Sequence, residues 1–520
     1  MKNLIIFISS LLLAFSASAQ DEQAQKYVEK EQYVKAITIY KNLLKSNVKK
    51  ASEYCYYLGD IYWRKEKLDS AKYYFMEGIK VDETNALNYV GIGIISMAKN
   101  TTEGQRSFDK ALLMTSKKNA TVLNAIGEYY VLEGSTADLP KGIAYFIKAT
   151  QVDAKNAMAW MLLGDAYGRQ AEGSKQVEAY NKAGNLFHSI PLLKMKYGKL
   201  YTSARNFDLS VKYYNEGLAI DSTYGPIYRE LGDLYNRFKK YDSAIINYKK
   251  YLKYIDSNND VEFKYAYFLL KNNDYADAVN VLNTLEKRKY TNVYIYNRRA
   301  VCYYELENYP SAQKDIETYF TKVDVTKTTS VDYEYYGKIL LEQGQDSLAI
   351  LKLEEAVRKD NGRLDLYGVI GSYYYGQSNY AKAILYMQMQ IKPETKDPKI
   401  FYELGQAYYY NKEYAAADSN FVKVIEMKPT LYIGYLWRGR SNAALDPETK
   451  QGLAKPYYEK TIEICMPFGT KYKDELIDAN EYLGYYYTIN RDKVKADAAW
   501  KNILALDPSN VKAINGLKMK

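Results

Sequence analysis

The residues best placed to do chemistry are three copies of one phrase, L-G-D-x-Y-x-R, at Leu58–Arg64, Leu163–Arg169 and Leu231–Arg237. On a helix the Asp and Arg of each copy stand four apart on one face, so Asp60 meets Arg64, Asp165 meets Arg169 and Asp233 meets Arg237. The expected use is an intrahelical ion pair of about 0.3 kcal/mol. The alternative is a ladder of guanidinium groups that fork onto the carboxylates of a ligand. Other chemistry has little to start from. His188 is the single histidine, which leaves no His-based triad and no multi-histidine zinc site. Cys55, Cys302 and Cys465 lack C-x-x-C spacing, so thioredoxin-like and zinc-ribbon readings fall away. No G-x-x-x-x-G-K-[ST] is present, and Gly91-Ile92-Gly93 lies inside a helical pattern with no strand before it. The reading is non-enzymatic, with no cofactor or metal site.

The elements that carry these residues are clearest in Pro398–Leu431. Phe401, Leu404, Gly405 and Tyr408 recur at i, i+3, i+4 and i+7, one face of a first helix. Ala417, Phe421 and Val424 form the matching face of a second helix, which Pro429 stops. Gly405 and Ala417 supply close approach, and Tyr408 and Phe421 fill the space beside them. Neither helix can bury its stripe alone, so the unit requires stacked copies of itself.

Copies run along the chain. The small residue at the eighth position recurs at Gly59, Gly91, Gly127, Gly164, Gly198, Gly232, Ala266, Ala300, Gly337, Gly371, Gly405, Gly439 and Gly484, and most successive spacings are 34. The second-helix alanine agrees at Ala36, Ala71, Ala244, Ala278, Ala312, Ala349, Ala383, Ala417 and Ala496. The order aromatic, Leu-Gly, Tyr, Ala, Phe, Pro resembles the tetratricopeptide repeat (TPR) family. The resemblance implies an all-α fold, a right-handed α-α superhelix of about 14 helix-turn-helix repeats, the first of them a partial unit around Ala36. Glu103-Gly104 and Ser135–Gly142 read as degenerate or lengthened turns, Val323–Ser330 as a small insertion, and Ala444–Pro456 with Pro467–Lys473 as the largest ones. Segments follow: 1–19 a signal peptide, 20–51 the partial unit, 52–326 repeats two to nine, 327–510 repeats ten to fourteen, and 511–520 a capping tail.

In this family the first helix of each repeat lines a concave groove, with ligand-facing residues at positions two, five, nine, twelve and thirteen. Carried onto this chain, the resemblance implies groove residues Tyr56, Asp60, Trp63 and Arg64 in repeat two. It implies Arg229, Asp233, Asn236 and Arg237 in repeat seven, and Tyr402, Gln406, Tyr409 and Tyr410 in repeat twelve. The basic cluster that grips a chaperone's terminal carboxylate in some members is not reproduced. Tyr373–Tyr375, Tyr409-Tyr410 and Tyr485–Tyr487 offer more aromatic surface than the core position needs, either for contact with peptides or sugar rings or for helix–helix seams.

Composition and the N-terminus place the chain. Fifty-nine tyrosines against fourteen phenylalanines fit a repeat that reuses tyrosine at set positions. Lys2, the apolar run from Leu4 to Phe15 and Ala17-x-Ala19 are the three parts of a secretory signal, with cleavage expected after Ala19. No later stretch is long and apolar enough to span a membrane, so the mature chain is expected to be periplasmic or outer-envelope associated, with peripheral attraction to acidic envelope surfaces. The three cysteines sit in separate repeats and read as buried and unpaired. A net charge of +10 is scattered among acidic residues, a solvated face and not a phosphate track, so nucleic acid is not expected as a partner. The expected function is a scaffold or adaptor that binds a protein or an extended peptide. Alternatives are a glycan-binding or nutrient-uptake protein and a component of a secretion or motility machine.

Overall fold

A computed structural model describes residues 19–187 and 190–519. All but the last residue of the expected signal segment 1–19, together with His188, lies outside the described residues. All regular elements among them are helical, and helices pack as adjacent antiparallel pairs. Fourteen pairs can be followed, from helix 19–29 with Tyr33–Ser46 to Lys473–Ile489 with Lys493–Leu506. Below, the first helix of each pair is helix A and the second helix B. The chain forms two compact units, Met1–Ile295 and Tyr296–Lys520. No described helix is long and apolar enough to cross a membrane.

Most pairs share one contact repeated along the chain. The eighth-position glycine faces a ring on helix B, and a Cβ at Gly405 would sit 2.7 Å from Phe421. Gly232 meets Tyr248 and Gly484 meets Trp500 in the same way, at 2.3 and 2.5 Å. Phe421, Tyr248 and Trp500 are almost wholly buried. Where Leu282 or Ile316 stands at the ring position, the facing residue is Ala266 or Ala300, and both alanines are buried. In these two repeats the smaller side chain is accompanied by a methyl group, whereas Gly337 and Gly371 stay glycine against Leu353 and Met387, where a Cβ would sit 2.5 and 2.7 Å away.

Tyrosines form a second recurring seam between A and B helices. Tyr62 stacks on Tyr74, Tyr201 on Tyr213 and Tyr374 on Tyr386, with ring centroids 5.3–5.8 Å apart and planes within 10°. Turns are equally repetitive. Arg205, Glu307 and Ser378 take φ of +57° to +58°, and the next residue, Asn206, Asn308 or Asn379, caps helix B through its side chain. Asparagine suits the role because its oxygen satisfies an otherwise orphaned N–H.

The irregular stretches differ in part from the sequence reading. Glu103-Gly104 is not a turn: it lies in the first turn of helix B, Thr101–Met114, capped by Asn100. Gly142 likewise lies inside Leu139–Val152, and only Ser135–Asp138 forms the lengthened turn. The insertion after Leu445 is ordered by Asp446, whose carboxylate accepts from the backbone N–H groups of Lys450, Gln451 and Gly452 at 2.8–3.1 Å. A short helix, Val511–Gly516, packs Gly516 against Trp500 and covers the end of the array.

Candidate functional site: the A-helix face

The three L-G-D-x-Y-x-R phrases do not share one pairing. Arg64 Nε reaches Asp60 Oδ2 at 2.8 Å, the pair expected from the spacing. Asp165 instead accepts the Tyr180 hydroxyl at 2.6 Å and pairs with Lys196. Asp233 accepts the Tyr248 hydroxyl at 2.8 Å and pairs with Lys264 at 2.7 Å. In both repeats the donors are the helix B ring and a lysine on the next A helix. Fifteen and thirty-one residues after Asp60 stand Phe75 and, on the next A helix, Gly91, neither with a side-chain donor; in that helix Gly93, not the expected Gly91, faces its own helix B ring, Phe108. Asp60 is left to its own Arg64. Arg169 and Arg237 are exposed and do not reach their aspartates. The expectation of a uniform intrahelical pair is therefore corrected: a phenol and a lysine outcompete the arginine wherever they are present.

The other groove candidates in the first unit are also engaged. Arg64 Nη2 extends to Glu128 on the A helix of repeat four, at 3.2 Å. Tyr56 packs between Tyr57 and Phe75, and burial, with Asp60 and Glu128 nearby, pushes its phenol well above the ordinary value. Trp63 is half-buried and packs on the core of the third repeat. Arg229 Nη1 binds Glu31 at 2.5 Å and the Tyr251 hydroxyl at 3.2 Å. Asn236 is half-buried on the same helix face as Arg229.

In the second unit the structure brings the repeat-twelve candidates around one ring. Tyr402, Tyr409 and Tyr410 approach Trp437 with centroids 6.2, 5.3 and 6.0 Å away, all edge-to-face. Gln406 donates to the Tyr402 hydroxyl at 2.9 Å. The Arg440 guanidinium lies 4.8 Å over the Trp437 ring and pairs with Asp478 at 2.7 Å. Trp437 is only 4% exposed, Tyr402 and Tyr409 are half-buried, and Tyr410 is 45% exposed. Tyr410 also stacks on Tyr380 and meets Tyr375. Most of these rings are seam, and only Tyr410 is substantially exposed. Arg440 was missed because the groove positions were carried onto only three repeats: it is position nine of repeat thirteen. Trp437 is position six, outside those positions, and only the packing reveals it. The chemistry on offer is recognition. An aromatic ring, a phenol and a guanidinium fixed by a carboxylate can stack and hydrogen-bond. Among the described residues no group of three or more His, Cys, Asp or Glu is placed to hold a metal ion.

The repeat geometry agrees with comparisons to known proteins. Profiles of the tetratricopeptide repeat match residues 52–85, 266–315 and 398–431. A crystal structure of the C-terminal part of a TPR repeat-containing protein from Cytophaga hutchinsonii is 71% identical, covering 49% of this chain and 100% of that one, with a TM-score of 0.39. The chain belongs to the tetratricopeptide-repeat family. Two further relatives contain similar TPR segments. Anaphase-promoting complex subunit 6 of Arabidopsis thaliana is 29% identical over 26% of this chain and 24% of its own length. The TPR repeat-containing protein YpiA of Bacillus subtilis is 22% identical over 54% of this chain and 66% of its own. The chain thus spans about a quarter of the plant subunit and just under two thirds of YpiA.

Proposed function

We propose that this TPR protein is an exported, non-enzymatic scaffold of the cell envelope that binds a protein or an extended peptide on its A-helix face. One observation carries the reading: Tyr410 stands exposed beside Tyr409, Trp437 and the carboxylate-fixed Arg440, on consecutive A helices. Rigid rings and an oriented guanidinium gain contact area at little entropic cost, the composition that favours protein recognition. Export is supported by the N-terminal pattern from Lys2 to Ala19.

The test is site-specific photo-crosslinking in the native host. A crosslinker at Tyr410 should capture a partner that one at Leu385, on helix B of repeat eleven and 49% exposed, does not. Replacing Arg440 with Ala should weaken that capture. Equal capture at both positions would sink the A-face reading. No captured protein, together with retention on envelope polysaccharide, would move the function to glycan binding. Mass analysis of the purified mature chain should show Gln20 as its first residue, and an intact Met1 would refute export by this signal.

A further inference from the structure

Six polar contacts tie the turn between the first two helices to the seventh repeat, 191 to 222 residues away. Lys30 reaches Asp221 at 2.5 Å and Thr223 at 3.1 Å. Glu31 accepts from Arg229 and from the Tyr251 hydroxyl, both at 2.5 Å. Gln32 Nε2 donates to the carbonyl of Tyr254 at 2.6 Å, and the Val34 N–H donates to Asp256 Oδ2 at 2.7 Å. All these residues belong to the first unit. The charges of Asp60, Arg64, Glu31 and Arg229 all act on the Tyr33 phenol, so repeats one, two and seven converge around it. Arg229 is also the residue that family resemblance places in the groove.

Two features separate this contact from the seams between neighbouring repeats. It is made of ion pairs and hydrogen bonds, with no glycine–ring socket in it. Both ion pairs also keep water: the side chains of Lys30 and Asp221 are 20% and 25% accessible, and those of Arg229 and Glu31 are 30% and 23%. Partly hydrated ion pairs contribute little each and are weakened by salt, so such a contact can open while the buried seams persist. Glu31 has φ of +59°, as do the matching turn residues of other repeats, so the turn keeps its ordinary shape.

We infer that the first turn is a latch across the first unit's groove, whose release admits an extended chain to the A helices of repeats two to seven. This rests on the A-face reading above and adds its regulation. Closed, the turn occupies Arg229 and Tyr251 and bars entry from that side. Open, it frees them along with Asn236 on the same face.

The experiment uses the full mature chain with Asn236→Cys as a reporter, since the three native cysteines are buried. Labelling rates are compared for N-ethylmaleimide, which is small, and for a long polyethylene-glycol maleimide. Replacing Lys30 and Glu31 together with Gln should raise the long reagent's rate about tenfold, the shift expected from losing two charge-assisted contacts, and leave the small reagent's rate unchanged. Hydrogen exchange at the Val34 amide should accelerate in the same variant. Reversing either charge alone, Glu31→Arg or Arg229→Glu, should open the latch, and combining them should close it again. An unchanged long-reagent rate overturns the inference: with Val34 exchange also unchanged there is no latch, and with faster exchange the turn moves but gates nothing. Failure of the scaffold reading itself is seen separately, at Tyr410 in the second unit.

Discussion

The pairing of an eighth-position glycine with a helix B ring makes a quantitative prediction at Gly405 and Phe421. A Cβ at 405 would lie 2.7, 2.8 and 3.1 Å from three atoms of the ring, closer than carbon atoms tolerate, and Phe421 has no exposed surface into which to retreat. Gly405→Ala gains about 1 kcal/mol of helix propensity. It also incurs overpacking of about 1–3 kcal/mol, so the single variant is neutral to destabilising by about 2 kcal/mol. Phe421→Leu alone removes ring volume from a full site and costs about 1–2 kcal/mol. The double variant reproduces the Ala266 and Leu282 arrangement already present in repeat eight. It should therefore be more stable than the two single effects add up to, by at least about 1 kcal/mol. Phe421 also stacks on Trp437, but that loss is common to both arms of the cycle and cancels. Because repeats open locally, the assay is native-state hydrogen exchange of amides in Tyr414–Met427, not a global melt. Additivity within about 0.5 kcal/mol would refute the socket argument.

Three other outcomes follow from the described geometry. Arg299 and Asp315 make a two-point ion pair at 2.5 and 2.8 Å with side chains only 7% and 6% accessible, so Asp315→Ala should cost about 3–5 kcal/mol while Arg299→Met with Asp315→Leu costs far less, as read by exchange in Tyr309–Lys322. Burial pushes the thiols of Cys55 and Cys465 up to about 11 and that of Cys302 to about 12, so at pH 8 a thiol reagent should find almost no native thiolate, and three thiols per chain in denaturant. Burial, reinforced by Asp233, raises the Tyr248 phenol above its ordinary value of 10.0 in the folded state; its stabilising contribution is full below pH 10 and falls as pH rises beyond it, and Tyr248→Phe should flatten that part of the urea midpoint against pH.

Much of the architecture was legible because it is local and repeated. The glycine marker, the helix B alanine and the turn residues each recur within one unit, so their register survives without knowledge of distant contacts. Ala36, Ala71 and Ala417 are all wholly buried, as their spacing implies. Polar pairing was less legible. The i, i+4 rule finds Asp60 and Arg64 because both lie on one helix, but it cannot rank an arginine against donors on other helices. Tyr180 and Lys196 are visible in the sequence fifteen and thirty-one residues after Asp165, and the same offsets from Asp233 give Tyr248 and Lys264. Reading the phrase across repeats, and not along one helix, would have found both. Contacts between Lys30–Val34 and repeat seven have no periodic signature, since they depend on small rotations accumulated over many repeats.

These pairings also decide where recognition is cheapest. A ligand carboxylate reaching Arg64 or Arg229 must displace Asp60, Glu128 or Glu31, each already within 3.2 Å. It gains only the difference between two similar interactions, unless the displaced group finds another partner. Asp165 and Asp233 are likewise satisfied from two sides. Around Trp437 the balance differs. Asp478 holds Arg440 in place, yet Tyr410 is 45% exposed, and covering that surface displaces only water. Removing Tyr410's ring should therefore weaken partner binding more than removing Arg64, although the arginine carries the charge. Measured affinities ranked the other way would mean that charge exchange across the first unit, and not aromatic burial in the second, drives recognition.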